Sequence, residues 1–149
     1  MKAAEALRAS PLFKEFTDTG LAIFATIATA RSFPKGAVVF AEAMVAESMW
    51  IIADGQVSLV AKTKSGTDVA LGEVGPGAFL GELSLLAPGQ RLCSASALTP
   101  VNAFELRHSD FHKLLASKPQ ACAKLVMAIA GHLATKLGEN RDALKSLVR

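Results

Sequence analysis

The sequence lacks the features that membrane, secreted and metal-binding proteins need. No run of about 18 apolar residues is present to span a bilayer, and Glu5 and Arg8 interrupt the N-terminal stretch where a signal peptide has its apolar segment. The two cysteines, Cys93 and Cys122, are 29 positions apart, which matches no metal-ligand spacing. We therefore expect free, buried thiols, no membrane contact and a reducing, cytoplasmic setting.

Charged residues are scarce as well. They make up 19% of the 149 residues, and 16 basic against 13 acidic side chains leave a net charge of +3. With 51% hydrophobic residues the chain has enough apolar material for a packed core, so a disordered chain is excluded. A protein that mainly holds nucleic acid needs a denser basic surface, so direct DNA binding is disfavoured.

Recognisable catalytic residues are missing. No Gly-x-Ser-x-Gly motif is present, and Cys93 has no histidine within the strand-rich part of the chain. A metal enzyme of the cupin type would need two or three histidines and a carboxylate on facing strands. The three histidines, His108, His112 and His132, lie at or beyond the end of the predicted strands. We therefore expect no enzyme, no metal and no cofactor.

The patterns that are present predict one domain over residues 1–149, on a length typical of single domains. Residues 1–32 are predicted to form N-terminal helices. Residues 33–107 consist of short β-branched stretches separated by glycine and proline turns, which indicates a mainly β antiparallel β-roll or jelly-roll sandwich. Residues 108–149 are predicted to be helical, with Ser109 as N-cap.

A long amphipathic helix is predicted near the C-terminus, about 28 residues or 42 Å at about 1.5 Å per residue. Its apolar stripe, with one polar residue, comprises Cys122, Leu125, Val126, Ile129, Leu133, Leu137, Asn140, Leu144 and Leu147. Such a helix is longer than the core of a domain this small. We therefore expect part of the stripe to pair with the same helix of a second subunit, with Asn140 fixing the register. The alternative is a helix that packs on its own sheet and frays beyond Gly138.

A glycine-rich segment carries the chemistry, since six of the 11 glycines fall between Gly66 and Gly89. Gly81 precedes a short predicted helix over residues 82–86, whose N-terminal N–H groups suit an anion. Glu82 is placed to accept hydrogen bonds from a hydroxylated ligand, and Arg91 has the side chain best shaped for phosphate. Together these groups indicate a sugar phosphate.

Residues 77–95 resemble the phosphate-binding cassette of the cyclic nucleotide-binding domain family. The family pattern is roughly Phe-Gly-Glu-Leu-Ala-Leu, a short turn, then Arg and small residues. It stands here as Leu80-Gly81-Glu82-Leu83-Ser84-Leu85-Leu86 and Arg91-Leu92-Cys93-Ser94-Ala95. Further marks of the family are Pro11-Leu12-Phe13, Lys35-Gly36 through Glu42, Ile51-Ile52 through Gly55-Gln56-Val57, and Asp110-Phe111 with Leu114-Leu115.

The resemblance implies a role for each cassette residue. Glu82 would accept a hydrogen bond from the ribose 2′-hydroxyl, and Arg91 would pair with the cyclic phosphate. Backbone N–H groups near Ser84 and Leu92 would hold phosphate oxygens, while Gly81 lets the backbone approach. The implied ligand-binding set is Gly81, Glu82, Leu83, Ser84, Arg91, Leu92 and Cys93.

Two departures from the family pattern bear on affinity and specificity. Ala43 stands where the family usually has glycine, and Leu92 offers no hydroxyl where members that favour cyclic GMP often have threonine. The resemblance implies that the base is contacted by Leu80 and by the long helix near Thr135, Lys136 and Leu137. We therefore expect cyclic AMP as the ligand in preference to cyclic GMP.

The predicted function is a regulatory sensor that signals to an unknown downstream protein by moving its C-terminal helix. The alternative is a degenerate domain that serves dimerisation or docking and binds no nucleotide. A third interpretation makes Glu82 and Arg91 a mere surface ion pair. Because the chain ends at Arg149 without a helix-turn-helix, we expect no DNA reader in it. Whether it is a free-standing sensor or part of a channel, kinase or regulator stays open.

Overall fold

The fold is an antiparallel β-sandwich with helices at both ends of the chain. It is seen in a computed structural model that describes residues 1–145. One sheet has the order β1-β10-β4-β7, the second has the order β2-β9-β5-β6, and β3 pairs with β8. The strands are β1 Ala28–Phe33, β2 Val38–Phe40, β3 Val45–Ala46, β4 Ser48–Asp54, β5 Val57–Lys62, β6 Asp68–Val74, β7 Phe79–Leu80, β8 Gly89–Gln90, β9 Ser94–Ala97 and β10 Val101–Arg107. The predicted β-sandwich is thereby confirmed.

Strand β4 divides the interior into two cores. Its residues alternate between the faces of the sheet, as side chains on a strand must. Met49 and Ile51 enter a cluster with the helices, which we call the helical core, whereas Trp50 and Ile52 face the second sheet. Residues 48–53 are all buried because both faces of this strand are covered.

The N-terminal helices are shorter than predicted. They are α1 Ala3–Ala9, a 3₁₀ turn Pro11–Phe13 and α2 Asp18–Ala25. Thr17 caps α2, its Oγ1 accepting a hydrogen bond from the Gly20 N–H at 3.1 Å. The prediction of helix to residue 32 is wrong, because Ala28–Phe33 pairs with β10 along its whole length. In this Ala-Thr-Ala run the pairing with a distant strand, and not the local helix propensity, decides the conformation.

The C-terminal part contains α4 His108–Ser117, α5 Pro119–Glu139 and α6 Arg141–Lys145. Helix α4 begins one residue before the predicted N-cap Ser109, and Arg107 is its N-cap. Helix α5 has 21 residues, fewer than the 28 expected, because the chain leaves the helix at Asn140. The Asn140 side chain donates to the Lys136 carbonyl at 2.8 Å, so Asn140 ends the helix instead of lying on its apolar stripe.

The inner face of α5 is the one the apolar stripe predicted, but its partner differs. Cys122, Leu125 and Ile129 are buried in the helical core of the same chain. These three stripe residues therefore pack within the chain, and the expectation that part of the stripe pairs with a second subunit stays a prediction for the others. The Leu144 side chain and Leu147 lie outside the described part of the chain. None of the helices within residues 1–145 is long and apolar enough to cross a membrane.

Candidate functional site

A cavity of about 380 Å³ lies between the short helix α3, Glu82–Leu86, and the strands around Arg91. We call it the cassette cavity. Its size suits a small ligand. The structure brings to it all seven predicted ligand-binding residues, together with Leu80 and Lys136. The lining is Phe40, Phe79, Leu80, Gly81, Glu82, Leu83, Ser84, Ala87, Gly89, Gln90, Arg91, Leu92, Cys93 and Lys136.

Helix α3 is positioned by one buried anchor and one glycine. Leu85 is fully buried in the helical core, which fixes the side of α3 that turns inward. Gly81 precedes the helix in a left-handed conformation, with φ of 70°. A Cβ built on Gly81 would lie 2.2 Å from Nη1 of Arg91, so only glycine leaves room for the guanidinium. Glu82 lies at the cavity, where the glycine-helix pattern predicted it, and Ser84 lies there too, as the family resemblance implied.

Arg91 is the central charge of the cassette cavity, and it is buried to 7% exposure. Its Nη2 donates to the Ser48 carbonyl at 2.9 Å and to Ser48 Oγ at 3.3 Å. The guanidinium carbon lies 4.4 Å from the centre of the Phe40 ring, a cation–π contact. Nε and Nη1 are buried without a hydrogen-bond partner in the described part of the chain. Buried polar groups are nearly always paired, so these two donors lack an acceptor that a ligand could supply once the guanidinium or α3 shifts.

The backbone of Arg91 is fixed by a turn from across the sandwich. The Ala43 N–H donates to the Arg91 carbonyl at 2.8 Å, and the Arg91 N–H donates to the Met44 carbonyl at 2.8 Å. Ala43 holds this turn with φ of 68°, a left-handed conformation that alanine rarely adopts. Ala43, in place of the family's glycine, therefore keeps the turn but adds backbone strain beside the cassette cavity.

Burial and charge shift two pKa values at the cavity. Desolvation by burial lowers the pKa of Arg91, while the Glu105 carboxylate acts in the opposite direction. Burial, aided by Glu42, raises the pKa of the half-buried Cys93 thiol, which Arg91 only partly offsets. Cys93 is thus a neutral thiol at physiological pH. Cys93 and Cys122 are both free cysteines, as predicted, but only Cys122 is buried, and the prediction of a buried thiol is wrong for Cys93.

The interpretation of Glu82 and Arg91 as a surface ion pair is not supported. Within residues 1–145 no ion pair joins them, and the Arg91 guanidinium is directed to Ser48 instead. Glu82 is partly exposed at the cavity wall. Its carboxylate therefore stays available to a ligand.

The residues proposed for base contact fall on different sides of α5. Leu125, Ile129, His132 and Lys136 follow one another at spacings of three and four, so Lys136 continues the inward face and reaches the cavity. Thr135 points elsewhere, its hydroxyl donating to the Gly131 carbonyl at 3.1 Å. Leu137 is 48% exposed and does not line the cavity. The structure therefore brings Lys136 to the site and leaves Thr135 and Leu137 away from it.

Sequence reasoning missed the residues that contact Arg91 from distant strands. Phe40, on β2, and Ser48, on β4, touch the guanidinium only after the sandwich is formed. Phe79 also lines the cavity, and its ring contacts that of His132 with centroids 4.6 Å apart. Phe79 stands directly before the Leu80-Gly81-Glu82 run, where the glycine-helix signal could have included it.

Other hollows and clusters in residues 1–145 offer less chemistry. A hollow of about 440 Å³ lies between α2 and α5, and one of about 480 Å³ lies between the 3₁₀ turn Pro11–Phe13 and α5, but their charged side chains are exposed. No group of three metal-ligating side chains is found among the described residues. The cassette cavity is distinguished from these by its buried arginine.

The structure combines an antiparallel sandwich, a long C-terminal helix and a glycine-helix element that faces a buried arginine across a cavity. The sequence profile of the family "Cyclic nucleotide-binding domain" matches residues 30–118, more than half of the chain. The chain belongs to this family, whose members are non-enzymatic regulatory domains.

Individual proteins agree with this assignment. A CRP-like cAMP-activated global transcriptional regulator of Mycobacterium tuberculosis is 32% identical over 101 residues, covering 68% of this chain and 45% of that protein. The N-terminal domain of a transcriptional regulator from Streptomyces coelicolor superposes with a TM-score of 0.80 at 30% identity, covering 88% of this chain and 94% of that one. The Thermus thermophilus catabolite activator protein has a TM-score of 0.82 at 27% identity, covering 93% of this chain and 63% of that one. The chain spans about half the length of the curated relatives it matches.

Proposed function

We propose that the cassette cavity binds cyclic AMP and that this chain acts as its regulatory sensor. The observation that carries the proposal is the buried Arg91, with two unpartnered donors beside the N-terminus of α3. Burial of the Arg91 guanidinium costs desolvation free energy, and a negatively charged ligand offsets this cost most strongly. A cyclic phosphate supplies one charge and several acceptor oxygens.

The roles of the other cavity residues follow from their positions. Glu82 offers a carboxylate at the cavity wall, which suits a ribose hydroxyl as hydrogen-bond donor. In the first turn of helix α3 the Ser84 N–H donates to the Gly81 carbonyl at 3.0 Å, whereas the N–H groups of Glu82 and Leu83 precede any intrahelical acceptor and lie beside the same cavity. We therefore assign the phosphate to Arg91 and the start of α3, and the ribose to Glu82.

Two observations support the preference for cyclic AMP, one from the structure and one from a related protein. Leu92 is 85% exposed at the cavity and carries no hydroxyl for the guanine base. The Mycobacterium tuberculosis regulator is named for its activation by cyclic AMP. Lys136 is the only one of the three predicted α5 residues at the cavity, so it is the α5 residue we assign to the base.

We also propose that the chain forms a homodimer through the exposed face of α5, which shares only Leu137 with the predicted apolar stripe. The exposed face is spaced by three and four residues and comprises Ala123, Met127, Ala130, Ala134 and Leu137. Met127 is 71% exposed, and the alanines allow two helices to approach closely.

Since Lys136 lies on the same helix, movement of α5 would link the ligand to the subunit interface and to a downstream protein. Sedimentation velocity is expected to show a dimer, and a monomer would contradict this arrangement.

Calorimetric titration of the chain with cyclic AMP, cyclic GMP and cyclic di-GMP tests the binding proposal. We expect cyclic AMP to bind most tightly. Arg91→Ala removes charge-assisted hydrogen bonds of about 1.5–3 kcal/mol each, so two such bonds correspond to a loss of at least about 100-fold in affinity. Glu82→Ala should weaken binding by about tenfold or more.

Arg8→Ala is the matched control, because Arg8 lies on α1 and does not line the cavity. Its affinity for cyclic AMP should equal that of the wild type. Absence of heat with all three nucleotides would overturn the proposal and favour the dimerisation or docking alternative.

A further inference from the structure

A chain of hydrogen bonds connects Arg91 to charged groups on the first sheet. Arg91 Nη2 donates to Ser48 Oγ at 3.3 Å, and the Ser48 hydroxyl donates to Glu105 Oε2 at 2.9 Å. The other carboxylate oxygen of Glu105 is 3.3 Å from Arg31 Nη2 and 3.5 Å from Arg107 Nε. Two arginines thus contact the Glu105 carboxylate directly, and Ser48 links Arg91 to it.

The middle of this network is shielded from solvent, whereas Arg31 and Arg107 at its outer end are about half exposed. Ser48 is 3% exposed and the Glu105 side chain 13% exposed, so their interactions are weakly screened. The network occupies Nη2 of Arg91 and draws the guanidinium inward, beneath Gly81.

The inward position keeps the guanidinium away from a phosphate. Nε and Nη1 are fully buried, so an oxygen the size of water cannot touch them as they lie. Nη1 sits against the backbone at Gly81, where even a methyl group would lie 2.2 Å away. For these donors to meet a ligand oxygen, the guanidinium must leave Ser48 or the start of α3 must move.

We propose that Ser48 and Glu105 compete with the ligand phosphate for Arg91 and thereby set the affinity of the cassette cavity. This inference rests on the proposed nucleotide binding. Ser48 and Glu105 are positioning residues that act through Arg91, since neither lines the cavity. The two states are an inward arginine held by Ser48 and an outward arginine that meets the phosphate.

The competition has a direction that can be measured. The apparent affinity equals the intrinsic affinity reduced by the fraction of protein in the binding-competent state. Ser48→Ala removes one acceptor of Arg91 and its link to Glu105 but keeps the backbone carbonyl, so the inward state loses part of its support. A lost hydrogen bond of ordinary strength corresponds to about a two- to tenfold gain in affinity. Glu105→Gln removes the countercharge with little change of shape and should act in the same direction.

The experiment compares cyclic AMP binding by the full chain, by Ser48→Ala, by Glu105→Gln and by the control Ser32→Ala. Ser32 makes the matched interaction on the same sheet, donating to Asn102 Oδ1 at 2.8 Å without contact to Arg91. We expect tighter binding and faster association for Ser48→Ala and Glu105→Gln, with Ser32→Ala equal to the wild type.

A readout without ligand completes the test. In nitrogen-15 spectra of the ligand-free chain, the Arg91 Nε–H should exchange slowly with water, and Ser48→Ala should speed this exchange. Unchanged or weaker binding by a folded Ser48→Ala, with unchanged exchange, would overturn the competition while leaving nucleotide binding intact. No binding by the wild type would instead overturn the proposed function itself, and this inference with it.

Discussion

The helical core and the cassette cavity are built on opposite principles. In the helical core, Phe13, Phe16 and Phe24 meet edge to face with ring centroids 4.9 to 5.7 Å apart, and Phe111 stacks on Phe24. At the cassette cavity, a buried arginine keeps two donors without partners. Apolar packing of the first kind stabilises the fold, whereas buried polar groups of the second kind destabilise it until a ligand pairs them. Stability and binding are therefore expected to respond to different substitutions.

The largest expected effect is on the helical core. Phe24→Ala removes a fully buried ring, which should lower the free energy of unfolding by about 3–5 kcal/mol. Chemical denaturation measures the loss. The control Val38→Ala truncates a side chain that is 57% exposed and should change stability by at most about 0.5 kcal/mol. Equal losses of unfolding free energy in Phe24→Ala and Val38→Ala would show that the helical core stabilises the fold no more than an exposed position does.

A smaller loss is expected where the two regions meet at α3. Gly81→Ala places an alanine at φ of 70° and pushes its Cβ against Arg91, so the free energy of unfolding should fall by about 1–2 kcal/mol. The variant should also displace the guanidinium and weaken cyclic AMP binding. Denaturation and calorimetric titration report the two effects.

Gly89→Ala is the matched control for Gly81→Ala. Gly89 lines the same cavity, yet a Cβ there meets nothing within 4 Å and its φ lies outside the left-handed region. Its stability should be unchanged or higher by about 0.4–1 kcal/mol. A loss as large as that of Gly81→Ala would mean that glycine is needed throughout this segment for another reason.

What the sequence predicted correctly is local, and what it missed comes from pairing between distant segments. Helix α3 has the predicted bounds, 82–86, because a glycine followed by a helical apolar pattern is a short-range signal. The position of Glu82 and Arg91 at one cavity was predicted from the same short segment. The strand Ala28–Phe33 was missed, since only its pairing with β10 distinguishes it from a helix end.

The surroundings of Arg91 show the same limit more sharply. Ser48 precedes Arg91 by 43 residues, and its contact exists only after β4 and the cassette meet in the folded sandwich. Periodicity likewise identified an apolar face of α5 but could not assign its partner, which is the chain's own helical core. Both the network behind Arg91 and the exposed face of α5 thus depend on tertiary packing.

The smallest expected effect has the opposite sign and lies on the cassette side. Ala43 adopts φ of 68°, which costs alanine roughly 1–2 kcal/mol, while glycine loses about 0.4–1 kcal/mol more conformational entropy on folding. Ala43→Gly should therefore raise the free energy of unfolding by about 0.5–1 kcal/mol. Ala41→Gly, two residues earlier in the same turn and without positive φ, should lower it by about 0.4–1 kcal/mol. Because both variants make the same chemical change, opposite signs in denaturation would place strain at Ala43 itself, in the turn that fixes the Arg91 backbone. A loss in both would show that the turn carries no strain, and that the buried arginine alone separates the cassette cavity from the helical core.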